Sequence, residues 1–126
     1  MAQGITYKGI EKDFLPFKEK ALGILLFGSR ARQEHNKRSD TDICLVAGDY
    51  DPDKLFQEVL ATNLTAKYDI KIFELLPLKM KGSILDSRKL IYSKDPGELS
   101  YYLYKQGRIW NDQKIALKKL GLKMWA

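Results

Sequence analysis

LGILLFGSRARQEHNKRSDTDICLV, residues 22–46, decides the fold. Leu22 to Phe27 is an apolar run broken only by Gly23, long enough for a buried strand and too short for a membrane span. Gly28-Ser29 ends it abruptly, and a mostly basic stretch follows from Arg30 to Ser39. The chain becomes apolar again at Asp40-Thr41-Asp42-Ile43-Cys44-Leu45-Val46, a second strand. Alternation with period two sends Asp40 and Asp42 to the same side of a sheet. Two carboxylates there repel and resist burial unless a positive charge lies between them. A hard divalent cation, magnesium above all, takes such oxygen ligands and keeps positions open for phosphate and water.

The residues beside these acids suit a phosphate. Gly28 lets the backbone approach a ligand with no Cβ in the way. Ser29 offers a hydroxyl and a backbone N–H, and Arg30 and Arg32 offer guanidinium forks for a triphosphate. Asp40 and Asp42 would hold metals that bridge the triphosphate and activate an attacking hydroxyl. A lone Gly-Ser is an ordinary turn and a lone Asp-x-Asp a solvated loop end. Their conjunction between two apolar strands is much rarer.

Gly28-Ser29-Arg30-Ala31-Arg32 followed by Ser39-Asp40-Thr41-Asp42-Ile43 resembles the signature of the polymerase-β-type nucleotidyltransferases. Within that superfamily it resembles the minimal nucleotidyltransferases, antitoxins paired with helical HEPN toxins. Gln33 stands where that branch usually has Gly. The resemblance implies a polymerase-β-like α/β (α+β) fold: a mixed sheet of about four strands with helices mainly on one face. It implies two magnesium ions, ATP as donor, and transfer of AMP to a hydroxyl, such as a tyrosine of the HEPN-type partner. It also implies a third carboxylate on a strand neighbouring the second. In Lys67-Tyr68-Asp69-Ile70-Lys71-Ile72-Phe73, Asp69 is the good candidate, as general base or as ligand to the metal that lowers the hydroxyl's pKa. Glu74 has the wrong parity and lies at the far end of that strand. The plainer reading of Asp69 is a surface residue alternating with Lys71.

The rest of the chain reads as support. At 126 residues, 44% hydrophobic and 30% charged, a single globular domain over residues 1–126 is expected. Met1-Ala2-Gln3-Gly4 lacks a basic region followed by an apolar core, and Cys44 has no second cysteine to pair with. Both fit a cytoplasmic protein. Residues 5–21 read as irregular or briefly helical, since Pro16 interrupts them. His35, amid Glu34, Asn36 and Lys37, reads as a solvated loop residue rather than a metal ligand. Asp51-Pro52 and Asp95-Pro96 each read as an N-cap followed by a first helical residue. The first opens a helix with the apolar stripe Leu55, Phe56, Val59, Leu60 and Leu64. The second opens a long helix over about 96–119. Pro77 opens a short helix between them, and Leu90-Ile91-Tyr92 reads as an edge strand.

The formal net charge of +6 accumulates at the carboxyl end, where Lys105, Arg108, Lys114, Lys118, Lys119 and Lys123 face only Asp112. That bias points away from a uniform nucleic-acid groove. Tyr101, Tyr102, Tyr104 and Trp110 suit the last helix either to cover the sheet or to dock a second copy or a helical partner. The tail, with Leu120, Leu122, Met124 and Trp125, is too apolar to dangle. Two other functions stay open: a non-catalytic module that neutralises a partner by occlusion, and transfer to a small molecule or an RNA end.

Overall fold

The computed structural model of the chain describes residues 7–28 and 41–121. Four strands form one mixed sheet: β1 (Gly23–Phe27), β2 (Thr41–Val46), β3 (Tyr68–Ile72) and β4 (Lys89–Ser93). Their order is β3-β2-β1-β4, with β1 antiparallel to both neighbours and β2 parallel to β3. Four helices accompany them: α1 (Tyr7–Asp13), α2 (Pro52–Leu60), α3 (Leu78–Ser87) and α4 (Pro96–Lys119). Both proline starts are as expected. The Asp51 side chain accepts from the N–H groups of Asp53 and Lys54, and that of Asp95 from Glu98, satisfying donors a helix start leaves orphaned. The parallel β2–β3 pair needs a crossover, which α2 supplies.

The expected mixed sheet is present, but the helices divide between its two faces instead of gathering mainly on one. Ile24, Leu26, Ile43, Leu45, Ile70 and Ile72 pack with Ile10 of α1, with Phe14 just after it, and with Leu55 and Val59 of α2. Residues of the opposite parity, Leu25, Cys44 and Val46, pack with Ile84 of α3 and with Leu99 and Leu103 of α4. The physical reason is that the two central strands are apolar at both parities, so each side must be covered. Cys44 lies inside the second of these cores. Its thiol is pushed up by burial, with the nearby Glu74 carboxylate adding to the effect, which keeps it protonated and inert. No helix among the described residues is long and apolar enough to cross a membrane.

The clasp between α3 and α4 is tight at one glycine. A Cβ on Gly82 would lie 2.2 Å from Trp110 Cε2 and 2.3 Å from its Nε1. Alanine normally improves a helix interior by about 1 kcal/mol over glycine. Here overpacking against a rigid buried ring wins. Gly82→Ala is expected to destabilise the protein by about 2 kcal/mol, a fall of roughly 8 °C in Tm readable by circular dichroism.

Candidate active site

The candidate site forms where β1 ends and β2 and β3 begin. Phe27 of β1 is the partner of Asp42 in the antiparallel ladder, and Asp42 is the partner of Asp69 in the parallel one. In-register residues on adjacent strands project to the same face. Asp42 has the parity of Cys44 and Val46, and Asp69 that of Lys71 and Phe73, so both acids rise on the face that carries α3 and α4. Their Cα atoms are then neighbours across one strand spacing, ~4.8 Å.

Local packing fixes this arrangement from the other side of the sheet. Thr41 and Tyr68, the paired residues that precede the two acids, are both buried toward α1 and α2. The Tyr68 hydroxyl donates to the Asp13 carboxylate, which also accepts from Lys67 Nζ at 2.9 Å. The Tyr68 ring packs on Phe14 with centroids 5.2 Å apart. The tyrosine hydrogen bond, followed by that of Lys67, holds the Asp13 carboxyl below its usual range. Burial and the same hydrogen bond push the Tyr68 hydroxyl up, so it stays a donor. With Tyr68 anchored inward, Asp69 must face outward on the opposite side.

Gly28 closes the site. Its φ is +77°, and an added Cβ would fall 2.2 Å from Asp42 Oδ2 and 3.1 Å from Asp42 Cγ. The backbone therefore passes directly over the Asp42 carboxylate, an approach open only to glycine. Asp42 and Asp69 are half-buried, and Lys71 Nζ stands 3.5 Å from Asp69 Oδ1. Lys71 offsets part of the Asp69 charge and leaves its other oxygen available.

Of the residues assigned from sequence, Gly28, Asp42 and Asp69 are thus brought to one corner of the sheet. Ser29, Arg30, Arg32 and Asp40 lie outside the described residues, as do Gln33 and His35. Among the described residues no three potential ligands cluster as a metal site. The donor set still fits a hard cation: two carboxylates in register beside a backbone with no Cβ in the way.

Glu74 has a different role from any the sequence suggested. Its carboxylate accepts from the N–H of Ala47 at 2.9 Å, from that of Gly48 at 3.0 Å and from the Tyr102 hydroxyl at 2.8 Å. It ties the exit of β2 to α4, at the end of the strand away from Asp42. No local pattern signals this, because its three partners lie 26 to 28 residues away. Burial, helped by the Glu74 hydrogen bond, pushes the Tyr102 hydroxyl up and keeps it donating.

Residues 12–97 match the family described as Polymerase beta, Nucleotidyltransferase, a span that contains Gly28, Asp42 and Asp69. The chain belongs to this family. The nucleotidyltransferase is 46% identical over 100 residues to a protein of Methanocaldococcus jannaschii named “Putative protein adenylyltransferase MJ1547”, covering 79% of this chain and 78% of that one. Solved structures share its fold. One is a crystal structure of a toxin-antitoxin with AMP-PNP, with a TM-score of 0.68 and 19% identity over 92% of this chain and 95% of that one. Another is a tri-AMPylated Shewanella oneidensis HEPN toxin in complex with MNT antitoxin, with a TM-score of 0.63 and 16% identity over 91% and 95% of the two chains. At those identities the nucleotidyltransferase shares their architecture, and its chemistry has to be read from its own residues.

Proposed function

We propose that this nucleotidyltransferase is a magnesium-dependent protein adenylyltransferase acting in the cytoplasm. It moves AMP from ATP to a tyrosine hydroxyl on a helical HEPN-type partner and thereby serves as an antitoxin. The observation that carries the reading is the in-register pair Asp42 and Asp69 under the Gly28 backbone. The 46% identical relative's name supports a protein acceptor. The structural relatives, one with AMP-PNP and one with an AMPylated toxin, support ATP as donor and a HEPN-type acceptor.

In this reading Asp40, Asp42 and Asp69 would hold two magnesium ions, which when bound would neutralise the triphosphate and lower the pKa of the attacking hydroxyl. Gly28 and Ser29 present backbone N–H groups to the β and γ phosphates, with Arg30 and Arg32 supplying charge. Asp69 faces the acceptor and takes or steers its proton. The acceptor oxygen attacks the α-phosphorus, a new P–O bond forms, the bridge to the β-phosphate breaks, and pyrophosphate leaves. Lys71 Nζ, 3.5 Å from Asp69 Oδ1, orients that carboxylate and offsets part of its charge.

Incubation with magnesium, ATP and a HEPN-type partner, followed by intact mass and peptide mapping of both chains, tests the acceptor. AMP on a partner tyrosine, lost with Asp69→Asn, is the expected result. AMP found only on an RNA end or a small molecule would refute the protein acceptor.

A further inference from the structure

α4 is longer than its packing requires. Leu99, Leu103 and Trp110 are its fully buried residues, and of the nine residues after Trp110 Lys114 and Leu117 are half-buried and the other seven exposed. These nine extend the helix roughly 13 Å beyond its last fully buried residue, at 1.5 Å per residue. The family match stops at residue 97, just as α4 begins.

Between α3 and α4 runs an open groove whose two parts, about 250 and 380 Å³, share Asp86 and Trp110. Its apolar lining comes from Leu85, Leu103, Trp110 and Ile115, the last 55% exposed. Arg88, Arg108, Lys114 and Lys118 line it as well, against the single carboxylate of Asp86. Along α4 it runs from Tyr104 to Lys118, about four helical turns. The same helix exposes Tyr101, Tyr104 and Leu120.

We propose that this groove docks an acidic amphipathic helix of a partner protein. The apolar lining takes the helix's hydrophobic stripe, and the four cations pair with its carboxylates. A second copy of the chain is a poor occupant, since it would bring the same cations against themselves. Nucleic acid is a poor one too, because the apolar side chains of Leu85 and Ile115 between the cations have no counterpart on a phosphate backbone. The inference builds on the reading of a helical protein acceptor and adds how that acceptor is held. The groove lies on the face of the sheet that carries Asp42 and Asp69.

The test needs neither ATP nor transfer, so it can fail while catalysis stands, and the reverse. A fluorescein-labelled Glu/Leu amphipathic peptide of roughly five helical turns would be titrated with the full chain and read by anisotropy. A scrambled peptide of identical composition and an oligonucleotide of equal charge would run beside it. The amphipathic peptide should bind at least ~10-fold tighter than the scrambled one. Ile115→Glu and the Lys114→Glu, Lys118→Glu pair, all at half-buried or exposed sites, should each weaken it ~10-fold or more with an unchanged circular dichroism spectrum. Equal binding of the scrambled peptide, tighter binding of the oligonucleotide, indifference to both variants, or no binding would each overturn the proposal.

Discussion

Asp42→Asn is expected to lower the rate of AMP transfer by on the order of 10³-fold or more while leaving Tm within about 2 °C of the parent. The activity side rests on charge. Asparagine matches aspartate in shape, so the strand and its pairing to Phe27 and Asp69 persist. The anionic donor that would share a divalent cation with Asp69 is gone, and a neutral amide oxygen is a much weaker ligand for a hard ion. The stability side rests on the same geometry. Asp42 and Asp69 face one another in register, where like charges oppose folding. Removing one charge relieves that repulsion and offsets contacts the carboxylate makes elsewhere. Activity by intact mass and Tm by calorimetry on the same preparation check both halves. Loss of fold together with activity would mean Asp42 is a structural acid.

Gly28→Ala is expected to cost about 100-fold in kcat/KM. The substituted backbone would sit at a φ of +77°, a conformation that costs an L-residue about 1 kcal/mol. Its Cβ would also occupy the position of the Asp42 carboxylate, 2.2 Å from Oδ2. One of the two must move, and a shift of about 1 Å at a reacting centre is enough for a hundredfold loss. Gly48→Ala is the matched control. It carries a similar φ of +65° and a close contact to Leu22 Cβ at 2.9 Å, but it lies past the opposite end of β2, next to Glu74. It should lower Tm comparably and leave kcat/KM within about twofold. Equal loss of activity in the two variants would show that backbone strain alone, anywhere around β2, disables the protein.

The difference between these two glycines illustrates how much of the site could be read in advance. Gly28 announces itself because a polar stretch and paired acids follow it. Gly48 looks like any turn. Strand positions, the Asp51 and Asp95 caps and the outward parity of Asp69 all follow from short-range periodicity, which sequence displays directly. The division of the helices between two faces was also written there, in the uninterrupted apolar runs Ile24 to Leu26 and Ile43 to Val46, which demand cover on both sides. What periodicity cannot carry is pairing between distant segments. The register that sets Asp42 opposite Asp69 depends on how α2 crosses the sheet. The Glu74 carboxylate finds its partners at Ala47, Gly48 and Tyr102 only once α4 has folded back. The aromatic run of α4 likewise hid a division: Trp110 turns inward, whereas Tyr101 and Tyr104 stay at the surface.

Calorimetric titration of the chain with ATP, in magnesium and then in EDTA, tests the central claim most directly. Wild-type protein should bind ATP with magnesium and lose at least ~10-fold in affinity without it, and Asp42→Asn should bind equally weakly under both conditions. Binding that is indifferent to magnesium, or a magnesium effect that survives Asp42→Asn unchanged, would contradict the assignment of these carboxylates to the nucleotide's metal.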